Sequence, residues 1–259
     1  MKVLIIGDVM GKPGRDAMKE FLDKKKNDYD FVIVNGENAA AGFGITPKIA
    51  DEFFELGVDV ITSGNHIWDK KELYPYLNEN RNILRPLNYP KGVPGFGYTI
   101  KENGNGEKIA VINIQGRVFM PEVDSPFQRI EEAIEEIKKE TKNIIVDFHA
   151  EATSEKLAMG WYLDGRVSAV YGTHTHVQTA DERILEKGTG FINDVGMTGA
   201  HDGIIGMSIE TVLPKFLTSL PSRFEVATEN IRINGLEIEI DDKGLCKSIQ
   251  RLNLSIDEI

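Results

Sequence analysis

Two histidines stand one residue apart in residues 171–181, YGTHTHVQTAD, of a chain that has five histidines in all. The segment follows an apolar run at residues 167–170, which predicts a buried strand. Because alternate residues of a strand point to the same side, we expect His174 and His176 to aim together beyond the strand's carboxyl end. An isolated pair of this kind is more often an ordinary surface pair. Whether His174 and His176 are a surface pair or part of a metal site depends on where the other polar residues of the chain lie.

The same residue types recur where other predicted strands end. In chain order they are Asp8 after the first apolar run, Glu37 and Asn38 after the second, Asn65 and His66 after the third, and His149 after a later one. The carboxyl ends of strands in open α/β sheets border the crevice in which ligands bind. Carboxylate, amide and imidazole groups together suit divalent transition metals, and the lack of thiolates argues against a zinc finger or an iron–sulfur cluster. Singly, each residue could be a turn, cap or core residue; jointly they favour a catalytic metal pair.

The elements that must position these residues follow a βαβα pattern. Strands are predicted at residues 3–6, 31–34 and 58–62, with helices near residues 15–26 and 47–56. This order predicts a parallel sheet covered by helices. The rest of the chain predicts, in order, a hairpin at residues 98–114, a helix near 125–139, buried strands at 143–148 and 167–171, and antiparallel strands from residue 224 joined at 241–244.

Composition and charge narrow the class of protein. With 259 residues, 41% of them hydrophobic, we expect one domain spanning residues 1–259. The single cysteine, Cys246, excludes an internal disulfide and fits a reducing cytoplasm, and we expect it to be a structural strand residue. The apolar run near the amino terminus is too short for a signal peptide or a membrane span, so we expect a soluble, cytoplasmic protein with no membrane partner. A net charge of −11 without a basic block argues against binding long nucleic acids.

Five short segments carry a family resemblance. GDVMG, NGEN, GNHIWD, DFHAE and GTHTH, in that order, resemble the five blocks of the calcineurin-like metallophosphoesterases. They resemble most closely the YmdB-like branch, whose characterised members hydrolyse 2′,3′-cyclic nucleotides. The similarity spans roughly residues 1–206. Two positions depart from the broad superfamily and match the branch: Met10 replaces a usual histidine, and Glu37 replaces a usual bridging aspartate.

The resemblance implies a fold, a cofactor and a substrate class. The fold would be an α/β, four-layer αββα sandwich with two mixed sheets flanked by helices. The cofactors would be two divalent transition-metal ions, which we expect to be iron or manganese. Asp8, Glu37, Asn38 and His176 would hold the first ion, and Glu37, Asn65, His149 and His174 the second, with Glu37 as the bridge. The substrate would be a small cyclic nucleotide or another phosphodiester, attacked by a hydroxide between the ions.

Several residues near these segments have two interpretations. His66 adjoins Asn65 but is not among the implied ligands, so we expect it to protonate the departing alkoxide. Asp69 either orients His66 or begins a helix. His201, in the glycine-rich DVGMTGAHDGIIGM, either reaches the substrate or is a turn residue, and the glycines of NAAAGFGIT either lie at the site or only let the backbone bend.

Other functions are compatible with parts of the pattern. A phosphomonoesterase or a small nuclease could use the same residues, and a scaffold could keep the fold without catalysis. The two acids and four histidines argue against a scaffold. GDVMGKPG is not a phosphate loop, because its glycine spacing is too short and Pro13 stands where Ser or Thr would bind magnesium. The sequence leaves homo-oligomerisation open.

Overall fold

Two β-sheets lie face to face in the structure, a computed structural model that describes residues 1–259. The strands are β1 (Lys2–Ile6), β2 (Asp8–Val9), β3 (Phe31–Asn35), β4 (Val60–Thr62), β5 (Tyr98–Glu102), β6 (Lys108–Gln115), β7 (Ile144–His149), β8 (Ala169–Thr173), β9 (Arg183–Ile184), β10 (Gly190–Ile192), β11 (Met197–Ala200), β12 (Ile231–Ile240) and β13 (Cys246–Ser255). The helices are α1 (Gly11–Lys25), α2 (Pro47–Glu55), α3 (Leu73–Glu79), α4 (Pro126–Ile137), α5 (Thr153–Leu163) and α6 (Ile209–Thr218). None of these helices combines the length and the apolar composition that a bilayer-spanning segment requires.

The first sheet joins the amino-terminal strands to the carboxyl-terminal hairpin. Its strand order is β2-β11-β12-β1-β3-β4, and β13 pairs along β12. β1, β3 and β4 are parallel, as the βαβα pattern predicts, whereas β12 runs antiparallel to β1 and β13. The predicted antiparallel tail is therefore confirmed, and this sheet is mixed.

The second sheet has the strand order β5-β6-β7-β8-β10-β9. β6, β7, β8 and β10 are parallel, while β5 and β9 are antiparallel strands at the two edges. The antiparallel pairing of β5 with β6 confirms the predicted hairpin. This sheet is therefore mixed as well.

Successive side chains of each strand point to opposite faces of its sheet, which accounts for the layered packing. Val3 and Ile5 of β1 pack between the sheets, whereas Leu4 and Ile6 face the other side, where α1, α2 and α3 cover the first sheet. The outer face of the second sheet packs against α4 and α5 in a third apolar cluster, which includes Met159. The expected four-layer αββα sandwich is confirmed.

Some element boundaries differ from the predictions. α1 begins at Gly11, four residues before the predicted start, and β4 begins at Val60 rather than at residue 58. α3, α5 and α6 were not predicted. The apolar residues of α6 have the spacing of an amphipathic helix, but the helix contains Pro214 and leaves most of these residues exposed.

Candidate active site

Strand ends supply every residue that the sequence singled out as a ligand. Asp8 begins β2, Glu37 and Asn38 follow β3, Asn65 and His66 lie in a 3₁₀ helix (Asn65–Trp68) after β4, His149 ends β7, and His174 and His176 follow β8. Parallel strands of both sheets thus bring these side chains to one edge of the sandwich. Every ligand candidate lies within hydrogen-bonding distance of at least one other.

The first group of donors surrounds His149, which is fully buried. Its Nε2 lies 3.0 Å from Glu37 Oε1, 3.1 Å from Asn65 Oδ1 and 3.1 Å from His174 Nδ1. Three of these residues, Glu37, His149 and His174, have one ligand atom each within 4.8 Å of the others. An oxygen and nitrogen set this close suits one divalent transition-metal ion.

The remaining candidate ligands are Asp8, Asn38 and His176. His176 Nε2 is 3.3 Å from Asn38 Oδ1, and the backbone N–H of His174 donates to Asp8 Oδ2 at 3.3 Å. Asp8 Oδ1 is buried and has no hydrogen-bond partner. Because an unpaired buried carboxylate oxygen is costly, this atom points to a cation as its missing partner. The residues present therefore fit a metal at this position too.

The backbone at the two clustered histidines corrects one prediction. β8 ends at Thr173, so His174 and His176 lie beyond the strand, and their φ angles are 94° and 65°. The expectation that strand alternation aims them together is wrong. Left-handed backbone is unusual for residues other than glycine and turns the chain sharply. It brings both imidazoles to the site while Thr175, between them, donates from Oγ1 to Asp194 Oδ2 at 2.6 Å.

Hydrogen bonds behind the rings fix which nitrogen each histidine presents. His149 donates from Nδ1 to Thr173 Oγ1 at 2.9 Å, and Thr173 Oγ1 donates in turn to Asp147 Oδ1 at 2.7 Å. His176 donates from Nδ1 to the Ile205 carbonyl at 3.0 Å. Both rings therefore present Nε2. Such outer contacts are typical of metal-binding histidines.

His174 is held the other way round. Its Nε2 lies 3.2 Å from Glu151 Oε2, so Nδ1 is the nitrogen that faces His149. Glu151 is the last residue of the DFHAE segment, and its role was not predicted from the sequence. Its place two residues after His149 was the signal that could have identified it.

Burial and mutual charge set the protonation states of this cluster. Burial opposes ionisation of Glu37, but His149, together with His66 and His174, lowers the pKa of Glu37 to about 2. Burial and the neighbouring His149 lower the pKa of His174 to about 3, and burial also lowers the pKa of His176. These shifts leave an ionised carboxylate beside neutral imidazoles, which are the forms that bind metals.

The pKa values of Asp8 and His149 are shifted in the direction that opposes metal binding. Burial, Asp194 and Glu37 raise the pKa of Asp8, with His149 acting against them. Burial disfavours the charged form of His149, but the facing Glu37, together with Asp8 and Asp147, outweighs burial and raises the pKa of His149. A cation bound between these groups would take the place of their protons.

His66 lies beside the cluster without being part of either donor group. Its Nδ1 is 2.8 Å from Asp69 Oδ2, and its ring packs edge-on against Phe43 with centroids 5.2 Å apart. Asp69 follows the 3₁₀ helix rather than beginning α3, so it orients His66 and does not begin a helix. This contact occupies Nδ1 and leaves Nε2 as the ring nitrogen available to a ligand.

A cavity of about 230 Å³ opens next to these residues. Glu37, Asn38, His66, His174 and His176 line one side, and largely apolar residues line the other. The apolar side was not predicted from the sequence, although most of it comes from residues 204–224, where Ile209, Val212, Leu213 and Phe216 have the spacing of an amphipathic helix. Phe216 is nevertheless exposed, so this apolar face is not packed into a core.

Two glycine-rich segments had open roles. Gly42 and Phe43, from NAAAGFGIT, line the cavity, so that segment lies at the site. His201 does not line it, and its Nε2 donates to the Met197 carbonyl at 3.1 Å. Met10, which replaces a usual histidine, lies in the apolar wall.

Comparisons with known proteins identify a family and similar structures. A family model described as "YmdB-like protein" matches residues 4–252. The 2′,3′-cyclic-nucleotide 2′-phosphodiesterase of Bacillus subtilis (strain 168) is 55% identical over 245 residues, which cover 94% of this chain and 92% of that protein.

Two solved structures superpose closely. A hypothetical protein from Thermus thermophilus has a TM-score of 0.93 and 44% identity, covering 98% of this chain and 99% of that one. A structure from Mycoplasma pneumoniae described as a novel phosphatase has a TM-score of 0.91 and 35% identity, covering 98% of this chain and 93% of that one. The resemblance found in the five segments is confirmed, and the chain belongs to the YmdB-like family.

Proposed function

We propose that this chain hydrolyses small 2′,3′-cyclic nucleotides in a reaction that depends on two divalent metal ions. Its 55% identity to a Bacillus enzyme named for this activity supports a phosphodiesterase. The observation that carries the proposal is the buried, partnerless Asp8 Oδ1 among clustered carboxylate, amide and imidazole donors beside a cavity. A scaffold protein would gain nothing from this arrangement.

The two donor groups suggest how the ions would be held. Glu37, Asn65, His149 and His174 would hold one ion, and Asp8, Asn38 and His176 the other, with Glu37 reaching both. Iron or manganese fits the mixture of oxygen and nitrogen ligands. When bound, the ions would polarise the phosphoryl oxygens and lower the pKa of the attacking water. Without cations, the ionised carboxylate of Glu37 would repel a phosphate group.

His66 would supply the proton that the leaving alkoxide needs. Asp69 holds its Nδ1, so Nε2 can reach a group in the cavity that His66 lines. The backbone N–H of His66 donates to Glu37 Oε2 at 3.2 Å, which ties the proton donor to the candidate bridging residue. We also propose that residues 1–259 act as one domain, because apolar side chains of both sheets share one core.

A phosphomonoesterase is the second candidate, since the Mycoplasma pneumoniae relative is described as a phosphatase. The two activities separate on adenosine substrates. The protein is reconstituted anaerobically with iron or manganese and given either 2′,3′-cyclic AMP or 3′-AMP. We expect the cyclic diester to be opened to a monophosphate that accumulates, and chelation to stop the reaction. Release of inorganic phosphate from 3′-AMP with no opening of the ring would favour the phosphatase.

The role of His66 has its own test. A ribose alkoxide is a poor leaving group, so His66→Ala should slow hydrolysis of 2′,3′-cyclic AMP by roughly 10²–10⁴-fold, the contribution of a positioned acid. Nitrophenolate departs without a proton, so the variant should lose much less activity on bis(nitrophenyl) phosphate. Metal content is measured alongside. Equal losses on both substrates, with metal content unchanged, would show that His66 is not the proton donor.

A further inference from the structure

The cavity beside the candidate ligands has two chemically different halves. One half presents polar donors, and the other presents apolar side chains that take no part in the proposed chemistry. The main apolar residues are Phe43, Ile205, Met207, Phe216 and Phe224, and Lys215 lies at their edge. A substrate that fills the cavity must therefore join a phosphate to an apolar group.

Two residues of the apolar half are exposed to solvent. The side chain of Phe216 is 75% exposed and that of Ile205 is 55% exposed. Large apolar residues left uncovered around a concave site commonly mark a surface that a ligand covers. The floor contains Met207, whose flexible, polarisable side chain adapts to ligands of different outline.

Ile205 ties this half to the candidate metal site. Its φ is 47°, in the left-handed region that a β-branched residue rarely adopts. Its carbonyl accepts the hydrogen bond from His176 Nδ1, and its side chain stands at the rim of the cavity. Backbone strain of this kind persists where function or packing requires it. The backbone of Ile205 thus contacts the candidate ligand His176, while its side chain forms part of the apolar lining of the cavity.

The apolar half has almost no side chain that could hydrogen-bond to the polar edge of a ligand. Outside the candidate ligands and His66, the one polar side chain that lines the cavity is Lys215. Its Nζ lies 5.0 Å from the centroid of the Phe224 ring, as in a cation–π contact. The half contains aromatic faces and aliphatic groups but no amide, hydroxyl or carboxylate.

We propose that this apolar half binds the nucleobase of the substrate through ring contacts, without selecting among bases. This inference rests on the proposed function, since the phosphate must sit at the candidate metal ligands for the base to reach Phe216. Stacking on aromatic side chains tolerates any base, because every base has a π-face. The enzyme should therefore require a base and discriminate poorly between adenine, guanine, cytosine and uracil.

Two substrate series test this inference. The four nucleoside 2′,3′-cyclic phosphates are compared with glycerol 1,2-cyclic phosphate, which has the five-membered diester ring and no base. We expect kcat/KM to vary within about tenfold across the bases and to be roughly 5- to 150-fold lower without a base, the range for one lost base–aromatic contact. A base-free diester cleaved as efficiently as the nucleotides would overturn the inference.

Substitutions on α6 test where the base binds. In Phe216→Ala the preference for cyclic nucleotides over the base-free diester should fall at least about fivefold, mainly through KM, because a uniform binding contact is lost. Leu217→Ala is the matched control, since Leu217 is also 75% exposed on α6 but does not line the cavity. Equal substrate preference in the two variants would contradict the assignment.

A binding measurement separates this inference from the proposed function. Calorimetry of the reconstituted protein with 3′-AMP and with ribose 3-phosphate should show tighter binding of the nucleotide, and Phe216→Ala should abolish that difference. If the wild type hydrolyses cyclic nucleotides but binds both ligands equally, only the base subsite is wrong. If it hydrolyses no cyclic nucleotide at all, the proposed function itself fails, and the inference with it.

Discussion

A buried ion pair lies behind the loop that carries His174 and His176. Lys156 Nζ is 2.7 Å from Asp194 Oδ2, and the two side chains are 4% and 1% exposed. The same carboxylate oxygen accepts hydrogen bonds from Oγ1 and N of Thr175 at 2.6 and 3.2 Å. Asp194 therefore anchors the residue between the two histidines, and Lys156 balances its charge.

Lys156→Met keeps much of the side chain's length but removes the cation. Asp194 would then be a buried carboxylate with hydrogen bonds and no counter-charge. Removing one partner of a buried pair costs about 3–5 kcal/mol. This is a large fraction of the ~5–15 kcal/mol that stabilises a folded domain. With a shift of roughly 2–4 °C per kcal/mol for a protein near this size, we expect a fall in Tm of about 6–20 °C.

The assays are thermal unfolding of the metal-free protein and its equilibrium unfolding in urea, with Lys247→Met as the control. Lys247 pairs with Glu239 at 3.0 Å, but those side chains are 68% and 43% exposed, so the control should lose far less stability than Lys156→Met. Lys156→Met should also bind metal more weakly, because its loop is released. Equal losses of stability in the two variants would refute the reasoning, as would wild-type metal affinity in Lys156→Met.

Three further predictions concern the candidate ligands. Glu37→Gln should weaken the binding of both ions, whereas His176→Ala should weaken mainly one; metal titration that shows the same single-ion loss in both variants would disprove the bridge. Because Glu37, Asp8 and Asp147 together outweigh burial and raise the pKa of His149 above its ordinary value of 6.5, metal affinity should be complete above that raised pKa and fall as the pH drops through it. The decline should therefore begin above pH 6.5, and affinity that stays flat into strongly acid solution would contradict this prediction. A Cβ at Gly64 would overlap His149 Nε2 and Glu37 Oε2, so Gly64→Ala should displace these side chains and lose metal, with circular dichroism to check that the variant is folded. Normal metal content in this variant would show that the site accommodates the added methyl group.

Much of the framework could be predicted because it depends on local pattern. The β-branched run at β1 and the polar Asp8 after it follow from strand propensity and from the way parallel strands end at one edge. The same logic found His149 at the end of β7. It failed at His174 and His176, because their direction depends on left-handed backbone that Asp194, distant in sequence, helps to hold.

The apolar half of the cavity could not be predicted for a different reason. The apolar residues of α6 are spaced as on a helix with one buried face, but Phe216 and Leu217 are exposed, so the spacing does not show that this face lines a cavity. Met10 and Phe43 come from segments far from α6 in the chain, so only the fold brings them to the same wall. Glu151 was missed because its contact with His174 joins the ends of two different strands.

Crystallography of the reconstituted protein with anomalous scattering tests most directly whether the clustered side chains hold two metal ions. Two peaks about 3.5–4 Å apart are expected, the separation typical of two-metal sites. One ion should contact Asn65, His149 and His174, the other Asp8, Asn38 and His176, with Glu37 touching both. A single ion, or ions that leave Asp8 Oδ1 without a partner, would contradict the assignment of a metal pair to these residues.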